Sequence, residues 1–220
     1  MLRSRIITGL VLAVAALITI YLLPLTVYAL VFCLVGILGA YEYAGLAGLE
    51  SLPARCGYAL IFVVLAGLSW WFDVLVEPGL LIGAVVWVIA LGGVVGYPAS
   101  GNYIRGWVTG ALGIVIMWAS WIAVVVIRSA PDGSHWMLWL FLLVAFADIG
   151  AYFAGRRFGR HKLAPAVSPG KTWQGFWGGL VTSSLVCGGI LGVMGRFNEG
   201  WLFIMVLLVS VSVIGDLFES

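Results

Sequence analysis

The chain has 220 residues, of which 63% are hydrophobic and 9% charged, with a formal net charge of +2. Its mean hydropathy is +1.15. A water-soluble domain carries roughly 25% charged residues, so a compact globule in water is excluded for want of a polar shell, and so small a net charge does not imply a nucleic-acid partner.

The apolar runs are near-continuous and about twenty residues long, rather than alternating segments of about ten. Membrane-spanning helices are therefore expected over a β-barrel. Hydropathy predicts an all-α, polytopic protein with eight spans, at 6–23, 25–49, 57–72, 79–97, 106–127, 136–154, 173–194 and 201–218. The first follows the basic start MLRSR, but its apolar run is too long for a signal peptide, and it reads as an uncleaved span. Pro24 makes the next junction tight, and Glu77-Pro78-Gly79 and Pro131-Asp132-Gly133 read as turns. No linker separates two soluble domains, so residues 1–220 read as one transmembrane domain.

Thirty glycines suit helices that approach closely in lipid, as at the GxxxG spacings Gly106/Gly110 and Gly188/Gly192. Eleven tryptophans suit interfacial belts. Cys33, Cys56 and Cys187 lie far apart without metal-ligand spacing and read as apolar fillers.

Lys and Arg set the orientation. With a cytoplasmic amino terminus, the inner segments hold Arg3, Arg5, Arg55, Arg105, Arg156, Arg157, Arg160, Lys162 and Lys171. The outer segments hold only Arg128 and Arg196. This bias follows the positive-inside rule and places both chain ends in the cytoplasm.

The longest polar segment follows the sixth span: DIGAYFAGRRFGRHKLAPAVSPGKTWQG. An anchor for anionic headgroups accounts for its Arg and Lys. It does not account for Asp148 at the end of an apolar helix, nor for Ser168-Pro169-Gly170-Lys171-Thr172. That run reads as a helix start, with Ser168 as N-cap and Pro169 as the first helical residue. Lys171 then stands where a capping box would place Glu or Gln. Free amides, a lysine and the Thr172 hydroxyl would converge on a phosphate-like anion. A Walker A loop is excluded, since the required first glycine is Pro165 and no strand precedes it.

Near residue 220, Asp216 and Glu219 are three apart and share a helical face. Such a pair repels unless a cation lies between, and oxygen ligands beside phosphates favour Mg²⁺. Glu42 sits in an apolar run and reads as structural, paired with a loop arginine or reaching the interface. His161 belongs to the basic face, and His135 lies on the opposite side.

From Asp148 to Gly175 the pattern D-x-x-A-Y-F-x-G-R-x-F-G, then K-L-x-P-x-x-S-P-x-K-T-W-x-G, resembles the phosphatidate cytidylyltransferase (CDP-diacylglycerol synthase) family. The terminal G-D-L-F-E-S and the E-Y at Glu42 are similar too. The resemblance implies a Mg²⁺-dependent nucleotidyltransferase of phospholipid biosynthesis in the cell inner membrane. It would join CTP to phosphatidate, giving CDP-diacylglycerol and pyrophosphate at the cytoplasmic face. By matching positions, Lys171 and Asp216 would be catalytic. Ser168, Thr172, Arg156, Arg157 and Lys162 would bind substrate, and Asp216, Glu219 and Asp148 would hold metal. A homo-oligomer stays open.

Two departures accompany it. The family usually has Glu at Gln174, which removes a cation ligand or an Arg partner. The family signature also continues past G-D-x-x-E-S to a second metal-binding aspartate and a last span. This chain, ending at Ser220, therefore looks truncated and is expected to be folded but inactive. The reading from another class is a transporter or channel for an anionic solute. It calls for repeated halves with broken helices, and no internal repeat is visible.

Overall fold

The computed structural model describes residues 2–95, 107–165 and 167–218. The described chain forms eight long helices and one small hairpin: α1 Leu2–Tyr21, α2 Leu25–Leu46, α3 Leu52–Trp71, a 3-10 turn Asp73–Leu75, α4 Val76–Val95, α5 Trp107–Ser129, α6 Gly133–Phe158, β1 Lys162–Ala164, β2 Ser168–Thr172, α7 Trp173–Val193 and α8 Glu199–Phe218. Among the described residues, seven helices, α2 to α8, are long and apolar enough to cross a membrane. The apolar stretch of α1, Ile7–Tyr21, is shorter than the span expected there. Large apolar side chains such as Leu38, Leu81 and Leu185 lie exposed on helix surfaces. This is what lipid requires, because a helix satisfies its own backbone and offers the bilayer apolar side chains. The chain is an all-α, multi-pass membrane protein.

The breaks between helices follow from single residues. Pro24, with φ −63° and ψ 153°, stands extended before α2. α2 ends at Gly48, whose φ of +86° lets Gly48 N–H reach Gly45 O and Leu49 N–H reach Ala44 O. α7 ends in the same way at Gly195, φ +65°, with Arg196 N–H on Leu191 O. Both are glycine-terminated caps that satisfy otherwise unpaired carbonyls. Asp132, φ 58°, makes the turn before α6 as expected.

Glu77-Pro78-Gly79 is a correction. It is no turn, but belongs to the first turns of α4, with the chain reversal carried by Asp73–Leu75. Proline is tolerated there because the first amides of a helix have no intrahelical partner.

The chain divides into two compact units. The first comprises Met1–Ile89 and Tyr103–Leu138. Its core gathers Phe62 with Ala40, Ala44, Ala66, Trp118, Trp121 and Ile122. The Phe62 ring lies where a side chain at Gly36 would stand. Polar groups tie helices together through the backbone. Tyr58 donates to Gly110 O at 2.6 Å, and Trp121 Nε1 donates to Ala29 O at 3.0 Å. Arg128 donates to Ile20 O and Leu23 O, at 3.0 and 3.3 Å, closing the end of α1. Arg55 donates to Leu49 O at 3.1 Å and lies over the Tyr41 ring. Among the described residues no arginine pairs with Glu42, which is exposed.

The second unit comprises Ala90–Asn102 and Trp139–Ser220. Here α6 and α7 meet along a seam of small residues. A side chain at Gly150 would strike Thr182 and the Gly178 backbone, and one at Gly178 would strike Ala154. Gly175 and Gly179 face the Ala151 and Ala147 carbonyls. The seam is thus a small-residue helix contact of the kind lipid favours. Of the glycines expected at such contacts, Gly110 faces Ala47 and Tyr58, and Gly188 faces Phe197 and Met205. Gly192 faces nothing within 4 Å, and Gly106 lies outside the described residues.

Candidate active site

Within the second unit, α6, the hairpin, α7 and α8 enclose a cavity of about 420 Å³. Each element contributes for a local reason. On α6, Asp148, Tyr152 and Arg156 stand four residues apart and therefore share one face, which lines the cavity. The Tyr152 hydroxyl accepts a hydrogen bond from Arg156 at 3.0 Å and steadies the guanidinium. From β2 come Lys171 and Thr172; from α8 comes Asp216. Apolar walls of Val209, Val213 and Phe176 complete it.

The helix start expected at Ser168 is corrected. Residues Ser168–Thr172 form β2, paired antiparallel with β1 in the register Lys162↔Thr172 and Ala164↔Ser168. A short strand therefore does precede the G-K-T. α7 begins four residues later than expected, with Thr172 as its N-cap accepting from Gly175 N–H at 3.1 Å. The choice has a physical cause. Gly170 lacks the side chain and the helix propensity a first turn needs. Thr172 instead sits buried against Gly155 and Gly175, where its hydroxyl reaches the third helical amide.

Two amides at this helix end are committed within the chain. Trp173 N–H bonds His161 O at 3.0 Å, and Gly175 N–H is taken by Thr172. The charged groups at the cavity are side chains instead. Lys171 Nζ lies 3.1 Å from Asp216 Oδ2, the lysine side chain 26% exposed and the aspartate 57%. The contact lacks hydrogen-bond alignment: Nζ is shielded, and among the described residues none of its N–H groups finds an acceptor in line. Asp148 stands within electrostatic reach of both Asp216 and Lys171. The result is two carboxylates, a lysine with uncommitted donors and an arginine around one cavity.

Comparisons with known proteins give the family. The model described as the cytidylyltransferase family matches residues 3–220. The chain belongs to the cytidylyltransferase family. A phosphatidate cytidylyltransferase of Pseudomonas aeruginosa is 39% identical over 224 residues, spanning 100% of this chain and 83% of its own. One of Haemophilus influenzae is 32% identical over 249 residues, spanning 100% of this chain and 85% of its own. One of Staphylococcus haemolyticus is 43% identical over 91 residues, 40% of this chain and 35% of its own. No solved structure matches.

For this cytidylyltransferase the sequence-predicted residues divide by place. Lys171, Thr172, Arg156, Asp148 and Asp216 line the cavity. Ser168 lies at the far end of the hairpin, Lys162 is exposed on β1 opposite Thr172, and Arg157 stacks its guanidinium 5.8 Å over the Phe158 ring. These three are off the cavity. Glu219 lies outside the described residues. Among the described residues, no group of three or more His, Cys, Asp or Glu is placed to hold a metal ion.

Sequence reasoning missed Tyr152, though its spacing of four from both Asp148 and Arg156 carried the signal. It also missed what Gln174 does. Its Oε1 accepts from the Arg160 and His161 amides at 3.1 and 3.2 Å, and its Nε2 meets His161 Nδ1 at 2.9 Å.

Proposed function

We propose that the chain acts as a CTP:phosphatidate cytidylyltransferase, forming CDP-diacylglycerol and pyrophosphate. The observation that carries this reading is the shielded Lys171 ammonium with uncommitted donors, set among Arg156, Asp148 and Asp216. A lysine and an arginine converging on a cavity suit phosphate oxygens, and apolar walls suit a lipid that arrives from the bilayer.

In the proposed reaction a phosphate oxygen of phosphatidate attacks the α-phosphorus of CTP. A new P–O bond forms, the α–β bridge breaks and pyrophosphate leaves. Such a transfer needs positioning and neutralisation of charge on phosphoryl oxygens rather than a covalent nucleophile. Lys171 and Arg156 are assigned that neutralisation. Thr172 is assigned the cap that fixes the end of β2.

Mg²⁺ fits the donor set. Two carboxylates, Asp148 and Asp216, line the cavity, and a site of one or two carboxylates completed by substrate phosphates is how Mg²⁺ is commonly bound. When bound, the ion would neutralise polyphosphate charge and orient it. The Lys171–Asp216 pair is then the resting arrangement. Asp216 holds the lysine until a phosphate competes for it, and the freed carboxylate becomes available to the cation.

The test is formation of CDP-diacylglycerol from phosphatidate and CTP with Mg²⁺. It is run on residues 1–220 and on a carboxy-terminally extended form, each with and without Lys171→Ala. A lost charge-assisted phosphate contact should cost about 1.5–3 kcal/mol. Turnover in either form that is indifferent to Lys171→Ala would overturn the assignment.

The Lys and Arg count supports a cavity on the cytoplasmic side, and the bacterial relatives support the inner membrane. Single cysteines at positions 132 and 160, in a chain freed of its native cysteines, test this on intact cells. An impermeant thiol reagent should label 132 and spare 160; the reverse would overturn the orientation.

A further inference from the structure

The hairpin that presents Lys171 has little to fix its own register. β1 has three residues and β2 five, Lys162–Ala164 carries an irregularity, and β2 contains Pro169. Two-stranded hairpins are marginal in isolation. Register is normally specified by an apolar alternation, and a slip of one residue turns every side chain to the opposite face. Ser-Pro-Gly-Lys-Thr has no such alternation, and a slip would point Lys171 away from the cavity.

Something outside the strands must therefore set the register. At the open end of the hairpin, Gln174 occupies the second position of α7. Its carbonyl oxygen takes two consecutive amides, Arg160 and His161, at 3.1 and 3.2 Å. With Oε1 so committed, Nε2 faces the ring and meets His161 Nδ1 at 2.9 Å. Trp173 N–H on His161 O, at 3.0 Å, adds a fourth bond. The residue before β1 is thus clamped by ring, amide and carbonyl to the first turn of α7, immediately beyond β2.

We infer that Gln174 is a positioning residue for nucleotide binding, which sets the register of β2 and so delivers Lys171 to the cavity without touching substrate. This rests on the reading of the cavity as the CTP site. Glutamate at this position would keep an acceptor for both amides, and its second oxygen would meet His161 Nδ1 as an acceptor rather than a donor.

The test is a double-mutant cycle on CTP binding, with Mg²⁺, to the purified full chain. It uses the parent, Gln174→Ala, Gln174→Glu, Lys171→Ala and the Gln174→Ala/Lys171→Ala double. Loss of this bonding should weaken CTP binding by about five- to tenfold in Gln174→Ala, and Gln174→Glu should recover most of that. Because the residue acts through Lys171, the double variant should bind no more weakly than Lys171→Ala alone. Parent-like affinity in Gln174→Ala, or additive losses in the double, would overturn the inference.

Amide hydrogen exchange of residues 162–172 serves as a second measurement, independent of nucleotide and usable where a variant purifies poorly. Exchange there should quicken in Gln174→Ala and stay near the parent's rate in Gln174→Glu, with the middle of α7 unchanged. A parent that does not bind CTP would count against the proposed function; unchanged exchange would count against the brace.

Discussion

The two units treat their polar side chains in opposite ways. In the first, several polar groups bond backbone carbonyls: Arg128 on Ile20 and Leu23, Arg55 on Leu49, Tyr58 on Gly110, Trp121 on Ala29. In the second, Lys171, Arg156, Asp148 and Asp216 converge on a cavity, and the lysine retains uncommitted donors. Apolar surroundings make an uncommitted donor costly. An ammonium held only by one half-exposed carboxylate beside a cavity points to a ligand, whereas a cation bonded to a helix end points to architecture.

Phe62→Ala should give the largest effect that separates the two. The ring is fully buried over Gly36, and its loss should cost about 3–5 kcal/mol of stability. Thermal unfolding in detergent should show that loss while CTP affinity at low temperature stays at the parent's value. A matching loss of affinity in folded protein would break the division of labour.

Arg156→Ala and Arg157→Ala sharpen it further. Arg156 lines the cavity and should cost about 1.5–3 kcal/mol of substrate binding. Arg157, stacked on Phe158 and off the cavity, should change it by less than about 0.5 kcal/mol. Titration of CTP and of phosphatidate against each variant checks the pair, and equal losses would show that the cavity's edge is drawn wrongly.

The helices were legible because spanning the bilayer needs long apolar runs: among the described residues seven of the eight expected spans fall on helices long and apolar enough to cross, and the first falls on α1, whose apolar stretch is shorter. Their ends moved by a few residues where Pro78 joined a helix rather than a turn. The hairpin was not legible. Ser168 and Thr172 are both good N-caps, and Gly170 together with the packing of Thr172 under Gly155 decides between them. The Lys171–Asp216 pair joins residues 45 apart in sequence, beyond any local pattern, so the lysine and the aspartate were assigned separately. The α6–α7 seam did leave a trace. Gly175 and Gly179 repeat at the spacing of four that Ala147, Ala151 and Gly155 share, a better signal than Gly188/Gly192.

The central claim, that Asp216 holds Lys171 until phosphate displaces it, is tested most directly by CTP affinity of Asp216→Asn with and without Mg²⁺. An ion pair this exposed is worth roughly 0.2–1 kcal/mol, so Asp216→Asn should tighten Mg²⁺-free CTP binding by up to about fivefold. It should also abolish most of the tightening that Mg²⁺ gives the parent. Weaker Mg²⁺-free binding in Asp216→Asn, with the Mg²⁺ effect intact, would contradict the account.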